Sequence, residues 1–175
     1  MKSALLTVSA FVFLLSPSAI AAEFKDDFAQ PKLEHRRAAR GEWKIADGIA
    51  RCTQDDELYK KNKDHGPIIF YDVPTKDSVI QFSFKPQGVK NVVFTLNGAS
   101  NHVFRILIGD KGTTTRAFPA GSKEHNPKTL AQDGPKIAQG DWTDVTVEIR
   151  GAKATVKIGK DYTKSVEDPA IAQSK

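Results

Sequence analysis

The side chains best suited to chemistry in this sequence are two histidines, His65 and His102, each beside an apolar stretch. An imidazole can hydrogen-bond ligand hydroxyls, act as a base near neutral pH, or ligate a metal ion. We assign both as candidate catalytic residues. The alternative for each is a loop histidine that hydrogen-bonds the backbone. His35 and His125 are interpreted as surface residues.

Arg105, Tyr71 and Asp64 are the candidate substrate-binding residues. Arg105 lies three positions after His102, so on a regular strand the two side chains face opposite sides. Among mostly apolar neighbours its guanidinium needs a carboxylate or a polar, sugar-like ligand, and a structural ion pair is the alternative. The ring of Tyr71 could stack on the apolar face of a sugar. Asp64 is a carboxylate in the polar loop that contains His65.

Other aromatic residues are candidates for the same stacking role or for the core. Tyr59, Phe118 and Tyr162 are further stacking candidates. Trp43 and Trp142 each open a predicted strand shortly after a glycine, and we interpret both as core residues.

The acidic residues form no spaced catalytic motif. Glycoside hydrolysis commonly needs two carboxyl groups about 5–10 Å apart. No strand carries an E-x-D-x-x-E arrangement that would place carboxylates on one face, which argues against a laminarinase-type glycosidase. Adjacent Asp26 and Asp27 would face opposite sides of a strand, so we interpret them as turn and structural carboxylates.

Cysteine usage excludes an intrachain disulfide and a cysteine-based metal site, because Cys52 is the only cysteine. We interpret it as a small buried residue. The sequence requires no cofactor and assigns no metal ligands, although a divalent metal is compatible with the histidines. The formal net charge of +5 is modest and its lysines are scattered, so we predict no nucleic-acid partner.

The elements that must position these residues are strands. Residues 77–110 contain three apolar runs with period-two alternation, separated by two glycine-containing breaks. Because the connections are short, we predict that the three runs are neighbouring antiparallel strands. In the later run 141–150, Val145, Val147 and Ile149 are predicted to point inward.

The rest of the chain also favours short strands. Asp47-Gly48 between alternating flanks predicts a tight hairpin. Regularly spaced short strands without a long helical pattern predict an all-β sandwich or barrel. The remaining expectations are a first strand at 23–28, a helical turn within 32–40, a polar loop with a helical turn at 54–66, strands at 67–73, 113–118, 154–158 and 162–166, and a long irregular stretch at 119–140.

Residues 1–21 are predicted to be a signal peptide. A short basic start precedes an apolar run at 4–15, and Ala19-Ile20-Ala21 fits the small-x-small cleavage rule. The run is too short to cross about 30 Å of hydrocarbon as a helix. We therefore expect cleavage after Ala21, export to the periplasm or extracellular space, no stable membrane insertion afterwards, and a single β-sandwich domain at 22–175.

The chain resembles the 3-keto-disaccharide hydrolase domain family of secreted bacterial proteins. The resemblance implies a laminin-G or concanavalin A-like jelly roll, in which two antiparallel sheets stack face to face. It also implies that His65 and His102 stand where the family tends to place histidines, near one concave face. The resembling segments are KDDF (Lys25–Phe28), GEWKIADG (Gly41–Gly48), DHGPII (Asp64–Ile69), DSVIQFSFK (Asp77–Lys85), FTLNGASNHVFRILI (Phe94–Ile108) and GDWTDVTVEIRGAKATVKIG (Gly140–Gly159).

The sequence departs from the resembled pattern after Asp168-Pro169, where the family usually continues with further strands. Residues 170–175 are too short and too weakly patterned to close a sheet beside the first strand. We therefore expect the first strand to lack one neighbour, either because the chain is a fragment or because that edge is open. An open edge is an aggregation liability.

Three functions follow as hypotheses. The first is an exported hydrolase that cleaves 3-keto-glycosides, with His65, His102 and a carboxylate converging in a pocket. The second is a non-catalytic carbohydrate-binding module with a shallow, aromatic-lined face and no convergent titratable groups. The third is a structural envelope protein without a concave polar patch. The geometry of the pocket would separate them. The predicted partner is a saccharide, and the oligomeric state is left open.

Overall fold

A computed structural model describes residues 23–99, 101–121 and 126–173. These residues divide into two compact units, with the boundary between Asp72 and Val73. The predicted signal peptide and His125 lie outside the described residues. No helix within the described ranges is long and apolar enough to cross a lipid bilayer.

The first unit consists of two short antiparallel ribbons and one short helix. Its elements are β1 (Arg36–Ala39), β2 (Glu42–Ala46), β3 (Ile49–Thr53), α1 (Asp56–Lys61) and β4 (Ile68–Tyr71). Strand β1 pairs with β4, and β2 pairs with β3. The predicted hairpin is confirmed: Asp47 and Gly48 both have positive φ, 54° and 74°, as a two-residue turn of type I′ requires.

The polar loop at 54–66 contains the expected helical turn as α1. Asp55 caps it, because its Oδ1 accepts a hydrogen bond of 2.7 Å from the N–H of Leu58. The helix ends where Lys63 and Asp64 adopt positive φ.

Two predictions in the first unit were wrong. Residues 23–28 form no strand, so the expectation of a first strand that lacks one neighbour fails as well. Asp26 accepts a hydrogen bond from the N–H of Phe28, and Asp27 accepts one from Ala29; these local bonds stabilise a bend instead of a ladder. Within 32–40, residues 36–39 form β1 and not a helical turn, because pairing with β4 outweighs local helix propensity.

The second unit is a sandwich of two four-stranded antiparallel sheets, which confirms the predicted fold class. One sheet has the order β12-β11-β10-β5 and the other β6-β7-β8-β9. The strands are β5 (Ser78–Phe84), β6 (Asn91–Asn97), β7 (His102–Gly109), β8 (Gly112–Ala117), β9 (Lys128–Gly134), β10 (Thr143–Arg150), β11 (Lys153–Ile158) and β12 (Tyr162–Glu167).

The core lies between the inner faces of the two sheets. Phe104 and Ile106 of β7 are fully buried and belong to one cluster with the inward residues of β10. Those residues are Val145, Val147 and Ile149, so their predicted orientation is confirmed.

The predicted three-stranded meander was wrong in one pairing. Strands β6 and β7 are antiparallel neighbours, but β5 pairs with β10 in the opposite sheet. The segment between β5 and β6 is held by the chain before β10: Pro86 O accepts from the N–H of Gly140 at 2.8 Å, and the Gln139 side chain bonds Gly88 N and Val89 O. A short connection can therefore cross to the other sheet instead of turning back to a neighbouring strand of the same sheet. Period-two alternation does not distinguish these two arrangements.

The stretch 119–140 was predicted to be irregular, but it contains β9. This strand pairs with β8 and two ion pairs tie it to later residues: Lys164 to Asp133, and Lys128 to Asp168 at 2.9 Å. Its sequence KTLAQDG has too little alternation to be recognised as a strand.

The last described residues form a 3-10 helix at Pro169–Ala172, whose Ile171 is buried in the core. Asp168 caps it and contacts Lys128. Burial raises the pKa of Asp168, but the hydrogen bond from Ala170 N–H and the contact with Lys128 outweigh it, so this pKa lies below its usual value.

Candidate functional site

A row of four polar residues crosses the sheet β6-β7-β8-β9 on its outer face. Thr95, Arg105, Arg116 and Thr129 are successive Cα partners across these strands. Phe104 and Ile106, on either side of Arg105 in the chain, point into the core. Because side chains alternate along a strand, the row points away from the core. We call these four residues the arginine row.

A β-bulge brings His102 to the same face as Arg105. The register between β6 and β7 shifts at Leu96 and Asn97, and Val103 and Phe104 are both buried, at 1% and 0% exposure. An extra residue of this kind reverses the alternation on one side of the bulge. The expectation from regular parity, that His102 and Arg105 face opposite sides, was therefore wrong.

Phe118 contacts both residues and holds them together. Its ring centroid lies 5.3 Å from that of His102 in an edge-on arrangement, and the Arg105 guanidinium carbon lies 5.1 Å from the same ring. Phe118 itself is 3% exposed, so it is covered and not available as an open stacking platform. Its contribution is to position the imidazole and, by a cation–π contact, the guanidinium.

The hydrogen bond of His102 defines its tautomer. Nδ1 lies 2.6 Å from Oδ1 of Asn97, an oxygen that can only accept, so Nδ1 carries the proton. In the neutral ring, Nε2 then carries the lone pair and can accept a hydrogen bond or a proton.

The two arginines differ in their contacts. Arg105 Nε donates to Thr95 Oγ1 at 3.2 Å. Arg116 Nε is buried and has no hydrogen-bond partner. None of the described carboxylates lies within ion-pair distance of Arg116.

The strands β6 to β9, all of whose residues are described, contain one carboxylate, Asp133. It contacts Lys164 and Tyr162. These contacts lower the pKa of Asp133, the bond from Lys164 contributing most, and the pKa of Tyr162 is raised to about 12 by burial and by that negative charge. These four strands therefore contribute several hydrogen-bond donors and one carboxylate to the face, which suits a ligand that presents acceptors.

Metal binding and thiol chemistry find little support among the described residues. Over 23–99, 101–121 and 126–173, no group of three or more His, Cys, Asp or Glu side chains is placed to hold a metal ion. Cys52 is half-buried, and burial together with the negative charge of Glu42 raises the pKa of its thiol. The thiol is protonated at neutral pH and is a poor nucleophile.

His65 and Asp64 lie in the first unit, directly after α1. The Nδ1 atom of His65 is 2.9 Å from the carbonyl oxygens of both Asn62 and Lys63. The N–H of Asp64 donates to Tyr59 O at 2.9 Å. His65 thus makes the backbone contacts of the alternative interpretation, and the catalytic role stays a prediction.

Tyr71 is itself 41% exposed and contacts an ion pair of the first unit whose side chains are buried. Its hydroxyl donates to Asp26 Oδ2 at 2.8 Å, and Arg36 Nη1 contacts both oxygens of Asp26 at 2.8 and 2.9 Å. Burial raises the pKa of Asp26, but the hydrogen bonds from Phe28 N–H, Tyr71 and Arg36 together outweigh burial. The pKa of Asp26 is therefore below its usual value. Burial and the Asp26 contact raise the pKa of Tyr71. The interpretation of Asp26 and Asp27 as structural carboxylates agrees with these bonds.

A small cavity lies beside this ion pair, but its size does not suit a sugar chain. Its volume is about 160 Å³, against roughly 300–1,000 Å³ for typical small-molecule pockets. Its lining residues include Lys25, Asp27 and Leu33.

Sequence reasoning missed Arg116 and misread Trp142. The register of the β7–β8 hairpin carried a signal for Arg116: Gly109 pairs with Gly112 across a two-residue turn, so Arg105 pairs with Arg116. Trp142 is 54% exposed and is not a core residue. Trp43 is half-buried, and its Nε1 donates to Ala39 O.

Comparisons with known proteins bear on the fold. No model of a protein family matches the chain, and no curated protein matches it. Among solved structures, the chain is similar to the carbohydrate-binding module CBM66 from Bacillus subtilis, with a TM-score of 0.57 and 9% sequence identity, covering 80% of this chain and 84% of that chain. The likeness supports the β-sandwich fold.

Proposed function

We propose that the protein is an exported, non-catalytic saccharide-binding protein whose ligand lies on the outer face of the sheet β6-β7-β8-β9. The observation that carries the proposal is the grouping of His102, Arg105 and Arg116 around the covered ring of Phe118. Donors held by strands and by a packed aromatic ring are preorganised to bind hydroxyl and ring oxygens. The fold shared with a carbohydrate-binding module also supports the proposal that the protein binds a saccharide.

The acidic residues favour a binding module over a two-carboxylate glycosidase. The single carboxylate of these four strands is engaged by Lys164. A glycosidase of the common type needs an acid and a second carboxylate about 5–10 Å apart. Strands β6 to β9 supply no such pair, so these strands alone can bind a sugar but lack the groups for that mechanism.

A second candidate is a hydrolase of the 3-keto-glycoside type, which the sequence resemblance suggests. The specific observation in its favour is the bond between His102 Nδ1 and Asn97 Oδ1 at 2.6 Å. In this tautomer the lone pair is on Nε2, the nitrogen that a general base would use. In this candidate His102 removes a proton from the substrate or from water.

Replacing His102 by Asn is expected to weaken saccharide binding by about tenfold, because one well-made hydrogen bond contributes about 1 kcal/mol and the imidazole also packs on Phe118. The measurement is calorimetric titration of the purified chain with ligands selected from a glycan array. His35→Asn is the matched control, since His35 has positive φ (65°), which Asn tolerates, and lies in the other unit.

The same preparations separate the two candidates when they are incubated with 3-keto-glucosides. Binding without release of 3-keto-glucose supports the binding module. Release that is lost in the His102→Asn variant supports the hydrolase and contradicts the non-catalytic proposal. Failure to bind any saccharide would contradict both.

A further inference from the structure

We propose that two copies of the chain associate through strand β5, which pairs antiparallel with the β5 of the second copy about a two-fold axis at Gln81. The two sheets that contain β5 then continue into one another. This edge belongs to the sheet opposite the proposed saccharide face, so association and saccharide binding can fail independently.

The first observation is that one side of β5 has no backbone partner among the described residues. The strand stands last in the order β12-β11-β10-β5 and pairs only with β10. The described strands of the first unit pair only with one another. In a strand with one neighbour, the N–H and C=O groups of alternate residues point to the free edge, where they can bond another strand.

The second observation is that β5 lacks the features that usually protect an edge strand. Its seven residues, all of them described, include no charged residue, proline or glycine. Val79 on its outward face is 52% exposed, and Phe82 on its inward face is only partly buried. At the other side of the sandwich, the edge strands β9 and β12 carry Asp133 and Lys164, which form an ion pair. Because charges, proline and bulges normally prevent edge pairing, β5 is suited to pair and β12 is not.

The third observation is that the charges flanking β5 are complementary to those of a second, antiparallel copy. Asp77 precedes the strand and Lys85 follows it, each four residues from Gln81, and both are exposed. All three side chains lie on the outward face, because their spacing is even. Pairing centred on Gln81 places Asp77 of each copy opposite Lys85 of the other, whereas a parallel pairing in register would place like charges together.

Lys85 is available for this contact. None of the described carboxylates lies within ion-pair distance of its ammonium group. Asp77 accepts one hydrogen bond of 2.9 Å, from the N–H of Gly151, and a carboxylate can accept more. The proposed dimer therefore gains two ion pairs, one on each side of the axis.

The packing of the strand agrees with the same register. Ile80 of one copy lies opposite Phe82 of the other, so the apolar inner face continues across the axis. Phe82 is already held by a stacked contact with Phe94 of β6, with ring centroids 5.5 Å apart. At the axis the two Gln81 amides can donate to and accept from each other. Pairing ends at Pro86, which has no N–H to donate.

The test measures the mass of the purified chain in solution by sedimentation velocity, over about 1 to 100 μM. We expect a dimer at the upper end of this range and a monomer at the lower end, as for an association in the micromolar range. Gln81→Lys and, separately, Gln81→Glu should each weaken dimerisation about tenfold, because the two introduced charges face each other across the axis.

A mixture of the two variants tests the position of the axis. When Gln81→Lys and Gln81→Glu chains are combined in equal amounts, the introduced lysine faces the introduced glutamate. We expect a heterodimer at least as stable as the wild-type dimer, observed by native mass spectrometry, which separates the species by mass. Gln81 is exposed, and its side chain makes only a long contact of 3.5 Å with Thr146, so both variants should keep the fold. Circular dichroism checks this.

Ser165→Lys is the matched control for charge. Ser165 is exposed on β12, the opposite edge strand of the same sheet, so this variant adds the same charge far from the proposed interface. It should leave dimerisation unchanged. Gln81→Thr, a neutral change to a residue that favours strands, should also keep the dimer.

The outcomes either support or overturn the proposal. Weakening by both charged Gln81 variants and recovery in their mixture support it. A monomer at every concentration would overturn it, and so would a dimer that neither variant weakens. Equal weakening by Ser165→Lys would show an effect of net charge alone and would also overturn it. Species that grow beyond the dimer would indicate open-ended edge pairing and contradict a closed two-fold interface.

Discussion

Phe104→Ala is expected to lower the free energy of unfolding of the second unit by about 3–5 kcal/mol. Phe104 is fully buried among residues from both sheets of the sandwich. Truncation removes the apolar ring and leaves a cavity that the close-packed neighbours can only partly fill. The measurement is urea unfolding of the purified chain, followed by circular dichroism together with amide exchange in β7 and β10.

Trp142→Ala is the aromatic control for this prediction. The indole is larger than a phenyl ring but is 54% exposed, so we expect a loss of less than about 1 kcal/mol. A loss at Trp142 as large as the loss at Phe104 would contradict the assignment of the core and would restore the interpretation of Trp142 as a core residue.

Asp26→Ala is expected to destabilise the first unit by about 3–5 kcal/mol, because it leaves a buried guanidinium without its counter-ion. The side chains of Arg36 and Asp26 are only 2% and 7% exposed. The substitution also removes the acceptor of the Tyr71 hydroxyl and of the Phe28 N–H. The readout is amide-exchange protection in β1 and β4, which reports on this unit separately. Asp27→Ala is the control, since Asp27 makes one exposed turn bond.

The lowered pKa of Asp26 leads to a prediction of how the first unit responds to acid. Its folded-state pKa lies below the usual value of an aspartate, so the folded state favours the charged form. The resulting stability is fully present above the unfolded pKa of about 3.9 and is lost as the pH falls through the lower folded value. Protection in β1 and β4 should therefore be constant from pH 7 to 5 and fall below about pH 4. An Asp26→Ala chain that loses protection over the same window by the same amount would contradict the assignment.

Strand periodicity predicted most of the second unit but not its pairing. The runs that became β6, β7, β10, β11 and β12 alternate over enough residues for their buried faces to be recognised. The partner of β5 was predicted incorrectly, because alternation specifies which face is buried and not which strand lies alongside. Strand β9 was missed because an edge strand with one partner needs little apolar alternation.

The candidate site was predicted in part. His102 and Arg105 were singled out by residue type, and both lie against Phe118. Their position on a common face depends on a bulge at Val103 that no local sequence motif predicts. Arg116 was overlooked because its importance arises only from its position opposite Arg105 across the hairpin turn.

By itself, the sequence determined the all-β class, the hairpin at Asp47-Gly48 and the inward residues of β10, because these depend on local turn preferences and on period-two burial. The tertiary structure decided the crossing from β5 to β6, the bend at 23–28 and the grouping of His102, Arg105 and Arg116 on one face. Those features depend on contacts between residues distant in the chain and on one extra residue in a strand. Local patterns do not record such contacts, and a single-residue bulge is enough to reverse the side on which a side chain lies.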